Sequence, residues 1–203
     1  MDASFDQAAE DLWVFGYGSL IWRPGFDYLE RLPAKVRSTF ATLRDGSFVD
    51  RAVNVIAFGN PGTGKTHLFS ALGHELVRQN RTVLFAPAFQ IVQRLLAARR
   101  DLRLPAELRK LDRFEALILD DIGYVQQNRE EMEVLFTLLA ERYERKSVLI
   151  TSNLVFSKWD QIFKDTMTTA AAVDRVVHHS VILELAIDSY RARAAKERAG
   201  AGR

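Results

Sequence analysis

Gly59-Asn60-Pro61-Gly62-Thr63-Gly64-Lys65-Thr66 decides how this chain is read. It fits the phosphate-binding pattern G-x-x-x-x-G-K-[ST]. The context matters more than the string. The apolar run Val55-Ile56-Ala57-Phe58 precedes it, and a stretch with helical spacing follows. A strand must deliver such a loop and a helix must open at its end. Backbone N–H groups then converge on a phosphate at the positive end of a helix dipole. Glycines permit the close approach and the positive φ values that a Cβ disfavours. Lys65 is expected to reach the terminal phosphates, and Thr66 to hold a magnesium ion through its hydroxyl.

Working outward, short apolar runs alternate with longer amphipathic ones. Strands are expected at Asn54–Phe58, Thr82–Ala86, Ala116–Asp120, Ser147–Thr151 and Ser180–Leu185. Helices are expected between them. Leu68, Phe69, Leu72 and Leu76 share one face of Thr66–Arg78. Met132, Leu135, Phe136, Leu139 and Tyr143 share one face of Glu130–Arg145. This alternation predicts an α/β fold whose mostly parallel sheet is covered on both sides. Ligands bind such sheets at the carboxyl ends of the strands. The loop, Asp120-Asp121 and Thr151-Ser152-Asn153 all fall at such ends.

That convergence defines a candidate phosphoryl-transfer site. Asp120 is expected to bind magnesium through water. Asp121, where the chain leaves the sheet, is expected to orient or deprotonate the attacking water. Asn153 polarises that water from the next strand end. A solvated strand end or a turn would also account for these residue types, and it is the upstream loop that favours chemistry. The loop does not choose the base. Asp120-Asp-Ile-Gly123 fits a D-x-x-G motif, and Ser157-Lys-Trp-Asp160 is one residue from a guanine-reading motif. The paired acids, and the helical character of the segment between Thr82 and Ala116, weigh against a GTPase.

Composition bounds the rest. The chain has 203 residues and is 48% hydrophobic, enough for one packed domain with an appendage. It has no cysteine, which removes disulfides, thiol catalysis and Cys-ligated zinc. His67, His74, His178 and His179 show no H-E-x-x-H spacing, so no metal site is expected from them. The acidic start (Asp2, Asp6, Glu10, Asp11) lacks signal-peptide character, and no apolar run reaches bilayer length, so a cytoplasmic protein is expected. Arg94, Arg99, Arg100, Arg103, Arg109, Lys110 and Arg113 crowd one segment. It is expected to bind DNA phosphates without sequence preference, although Asp101, Glu107 and Asp112 are interspersed.

From about Phe40 to Lys196 the chain resembles the IstB-like ATP-binding proteins, AAA+ relatives of the helicase loader DnaC and the initiator DnaA. The stretches that carry the resemblance are ordered along the chain. They are Phe48–Asn54, Gly59–Thr66, Leu104–Phe114, Leu117–Gly123, Leu149–Asn153, Asp174–Ser180 and Ser189-Tyr-Arg191. The resemblance implies a three-layer P-loop fold, ATP, magnesium and assembly as a homo-oligomer on DNA. It implies a transposase or a replicative helicase as partner. It matches Asp120 and Asp121 to the family's Walker B pair and Asn153 to its first sensor. It also puts Arg175 where a finger residue enters a neighbour's site.

The front end is different. Trp13–Glu30, with Tyr17-Gly-Ser-Leu20, resembles the opening of ChaC-type γ-glutamylcyclotransferases, without that family's downstream catalytic glutamate. The expected division is therefore an appendage over 1–39, an ATPase domain over 40–196 and a flexible tail over 197–203. The N-terminal recruitment domain of IstB-like proteins is missing from this pattern. A nucleotide-binding remnant without productive turnover stands beside the ATPase reading.

Overall fold

The computed structural model describes residues 33–124, 129–159 and 166–186. The expectations for Trp13–Glu30 and for residues 197–203 lie outside these residues. Five strands form one parallel sheet: β1 (Asn54–Phe58), β2 (Val83–Pro87), β3 (Ala116–Asp120), β4 (Ser147–Ser152) and β5 (Ser180–Glu184). Their order is β2-β3-β4-β1-β5. All four ladders are parallel, with Ala57 beside Thr151 and Leu119 beside Ile150.

Period-two alternation divides each interior strand between two cores. Ile56, Phe58, Leu117, Leu119, Val148 and Ile150 enter one apolar cluster. Helices α4 (Ala88–Arg100), α5 (Leu104–Leu111), α6 (Arg129–Arg142) and α7 (Thr166–Val177) contribute to that cluster. Val55, Ala57, Ala116, Ile118 and Leu149 enter the other. There they meet α1 (Ala34–Leu43), α2 (Ser47–Asp50) and α3 (Lys65–Arg78). Burial on both faces explains why the strands read as continuous apolar runs. On α3, Phe69, Leu72 and Leu76 are fully buried. Each such side chain contributes about 1.5–3 kcal/mol. That burial fixes the helix on which Lys65 and Thr66 sit.

Two boundaries differ from the expectations by more than a residue. Helix α1 runs through the expected division at residue 39, and Val36 is buried in the same core as Phe40. Helix α6 stops at Arg142 rather than Arg145. The N–H groups of Arg145 and Lys146 both fold back to the Arg142 carbonyl, and Glu144 takes a positive φ of 55°. The segment between β2 and β3 forms α4 and α5, as its helical reading anticipated.

Arg142 itself is 1% exposed. Its guanidinium donates to the carbonyls of Leu111, Phe114, Glu115 and Ser147 at 3.0–3.2 Å. It thereby ties the α5–β3 connection to the start of β4. Burial pushes its pKa down to about 10, still well above neutrality. The cation is retained, and the carbonyls offset part of its desolvation.

Candidate nucleotide site

The loop between β1 and α3 is built on backbone geometry. Gly62 and Gly64 take φ values of 82° and 90°, and no side chain caps the α3 N-terminus. Gly59 is needed for space. A Cβ there would lie 2.7 Å from the Leu185 carbonyl and 2.8 Å from Thr63 Oγ1. Gly59 donates its N–H to Ser152, and Leu185 donates its own to the carbonyl of Phe58. The loop is thus clamped from β4 and from the residue that follows β5.

Lys65 is 8% exposed and its amine turns back onto the loop. It donates to the carbonyls of Gly59 at 2.7 Å and Asn60 at 3.0 Å. Thr66, one residue on, donates to Asp120 Oδ1 at 3.0 Å. Because β4 lies between β1 and β3, this pair reaches across a whole strand. Thr151, at the end of β4, fills the gap. Its hydroxyl donates to Asp120 Oδ1 at 2.7 Å and accepts the Asp121 N–H at 2.7 Å. Two hydroxyls thus converge on one carboxylate, a set of hard oxygen donors that suits magnesium.

Asp121 leaves the strand with a φ of 60°, the left-handed region that Asp tolerates better than most residues. A 3-10 turn, Ile122–Tyr124, follows at once. Asn153 packs on that turn. A Cβ on Gly123 would lie 2.2 Å from Asn153 Oδ1. That oxygen is buried and has no hydrogen-bond partner among the described groups. Lys65, Thr66, Asp120, Asp121 and Asn153 therefore meet on one rim of the sheet, where the sequence put them.

Arg175 does not join them. It lies in the last turn of α7, not near a helix start. Next to it, the Val176 carbonyl accepts from Asn54, the first residue of β1. The loop follows the last residue of β1, about 16 Å away along the strand. The Arg175 guanidinium stacks 4.7 Å over the Phe136 ring, and its Nη1 is buried without a partner. Within one chain, then, Arg175 stands on the rim opposite the loop.

The basic segment is more neutral than its sequence implies. Arg99 pairs with Glu133 at 2.9 Å, and Lys110 with Glu107 at 3.1 Å. Arg94 also pairs with Glu107, and Arg103 with Asp101. Burial pushes the Glu107 carboxyl up, but hydrogen bonds from Lys110 and Arg94 outweigh it and hold it below the ordinary range. Arg100, Arg109 and Arg113 are exposed. Sequence reasoning took the whole run as one patch because it could not see Glu133 arriving from α6. It gave no role to Thr151, whose one visible signal was a hydroxyl ending an otherwise apolar strand.

A parallel sheet of this order, with a glycine loop entering a helix and acids ending a neighbouring strand, defines a P-loop nucleotide-binding domain of the AAA+ type. The fold is shared with AMPPCP-bound DnaA from Aquifex aeolicus: TM-score 0.62, covering 87% of this chain and 54% of that one, at 19% identity. It is shared also with the DnaC helicase loader: TM-score 0.61, covering 74% and 88%, at 17% identity. More particularly, the chain belongs to the IstB-like ATP binding protein family, whose pattern matches residues 25–198. An insertion-sequence ATP-binding protein of Sinorhizobium fredii is 46% identical over 151 residues, 74% of this chain. The insertion sequence IS21 ATP-binding protein of Pseudomonas aeruginosa is 40% identical over 179 residues, 88% of this chain. The chain spans 51% and 64% of these relatives' lengths. No described helix is long and apolar enough to cross a membrane.

Proposed function

We propose that this chain binds ATP with magnesium, hydrolyses it, and serves as a DNA-associated helper of a transposase. The observation that carries the reading is the contact of Thr66 with Asp120 across β4, tied by Thr151 to Asp121. Bound there, magnesium would neutralise charge on the phosphates. Thr66 and Asp120 are the residues that would hold it. Lys65 leaves the two loop carbonyls and turns to the terminal phosphates. Asp121 takes a proton from the attacking water as its oxygen bonds to the terminal phosphorus and the bridging P–O bond breaks, releasing ADP and phosphate. The buried Asn153 Oδ1 accepts from the same water.

Arg175 fits a neighbour's site better than its own, because it sits on the far rim with an unpartnered Nη1. Hydrolysis would then require a second copy. DNA contacts fall to Arg100, Arg109 and Arg113, exposed members of the basic run. The names of the insertion-sequence relatives favour transposition over helicase loading.

Phosphate release measured across protein concentration, with and without duplex DNA, tests the reading. Turnover per chain should rise with concentration and with DNA, and Arg175→Ala should remove the concentration dependence while ATP affinity is kept. Tight ATP binding with no phosphate release under any of these conditions would leave a nucleotide-binding protein without the ATPase.

A further inference from the structure

Two turns on the rim opposite the phosphate loop bring together three side chains with no role in the nucleotide site. Glu144 follows α6, and His178 and His179 connect α7 to β5. His179 Nε2 lies 3.2 Å from Glu144 Oε1, and His178 Nδ1 lies 4.0 Å from the same oxygen. The three donor atoms all lie within 4.8 Å of one another. The two imidazole rings meet edge-on, with centroids 4.3 Å apart. Ligand atoms around a tetrahedral zinc ion stand about 3.4 Å from one another. The two separations to Glu144 bracket that value.

We propose that Glu144, His178 and His179 form a binding site for a transition-metal dication of the zinc class. Two imidazoles and a carboxylate are a donor set suited to zinc and its neighbours, with water completing the shell. The backbone under each ligand is already held. Glu144 sits at φ 55° in the turn closed by two N–H bonds to the Arg142 carbonyl. His178 donates its N–H to the Asp174 carbonyl, and the His179 carbonyl accepts the Asn54 N–H at 2.7 Å. All three side chains are about half exposed, at 53%, 54% and 50%, so an ion enters directly from solvent.

Tyr143 supplies an outer partner. Its hydroxyl lies 3.3 Å from His178 Nδ1, and burial, then the neighbouring Glu144 carboxylate, raise its pKa. When the ion takes Nδ1, the phenol turns to the carboxylate and orients it. The sequence held no metal spacing because Glu144 lies far from the histidines along the chain. A bound ion would fasten the end of α7, where Arg175 lies, to the end of α6, the helix whose middle carries Phe136.

Zinc chloride and cobalt chloride are titrated by calorimetry into the full chain, free of nucleotide and magnesium. One equivalent should bind, with a cobalt absorption band and a zinc-dependent rise in unfolding temperature. His179→Ala and Glu144→Gln should each weaken binding by about tenfold or more, while His74→Ala leaves it unchanged. Circular dichroism confirms that each variant is folded. Absence of stoichiometric binding overturns the site, as does unchanged affinity in the His178→Ala/His179→Ala double variant.

Discussion

Thr151 donates a 2.7 Å hydrogen bond to Asp120 Oδ1 from the strand that separates β3 from β1. The same hydroxyl accepts the N–H of Asp121, so one side chain sets the position of both acids. Thr151→Val keeps the shape and removes both bonds. The buried groups left behind should cost about 1–3 kcal/mol in urea unfolding. Turnover should fall about 10- to 100-fold through misplacement of the acids. Thr151→Ser should recover most of both, and a Val variant with full turnover would end the positioning role.

Lys65→Ala should weaken ATP binding about 100-fold by calorimetry, because a charged donor to phosphate is lost. The fold should be little changed. In the free chain the amine bonds the carbonyls of Gly59 and Asn60, and water can replace it there. Unaltered affinity would remove the loop from the binding site.

Asp121→Asn should separate binding from chemistry. Thr66 and Asp120 remain in place, so ATP affinity should stay within about twofold of the parent. Phosphate release should drop by about 100-fold or more, the loss expected for a general base. A variant with normal turnover would move the water-activating role elsewhere.

Arg142→Met tests the opposite rim. Four carbonyls lose their donor at once, and the acceptors left unsatisfied should together cost about 3–5 kcal/mol. Urea unfolding should register that loss, while ATP affinity in the folded fraction stays unchanged. A stable variant would show that water or Arg145 takes over the carbonyls.

Much of the site was legible because strands buried on both faces leave few places for polar residues. Lys65, Thr66, Asp120, Asp121 and Asn153 stand at or just past strand ends, and the apolar runs before them give the ends away. Strand β1 needed no correction, since its apolar run stops where the glycine loop begins. What stayed hidden depends on the order of strands. Sequence order does not reveal that β4 intervenes between β1 and β3, so Thr151 looked like one more strand-end hydroxyl. Nor does it reveal that Glu133 on α6 meets Arg99, or that α6 ends early to bring Glu144 to His179. The end of α6 was missed because Glu144 adopts a left-handed backbone without being glycine. Nor does sequence order reveal that Arg175 falls in the last turn of α7, on the rim opposite the loop.

Leu185 holds the glycine loop from two directions: its N–H reaches the Phe58 carbonyl, and its own carbonyl closes the space beside Gly59. The consequence is mechanical. Leu185 stands one residue past β5, so a displacement of that strand end is felt first at Gly59. A nucleotide that shifts the loop must also shift Leu185. The strand after α7 is therefore a brace for the phosphate cradle as well as a sheet edge, and displacements of its far end and of Gly59 are coupled.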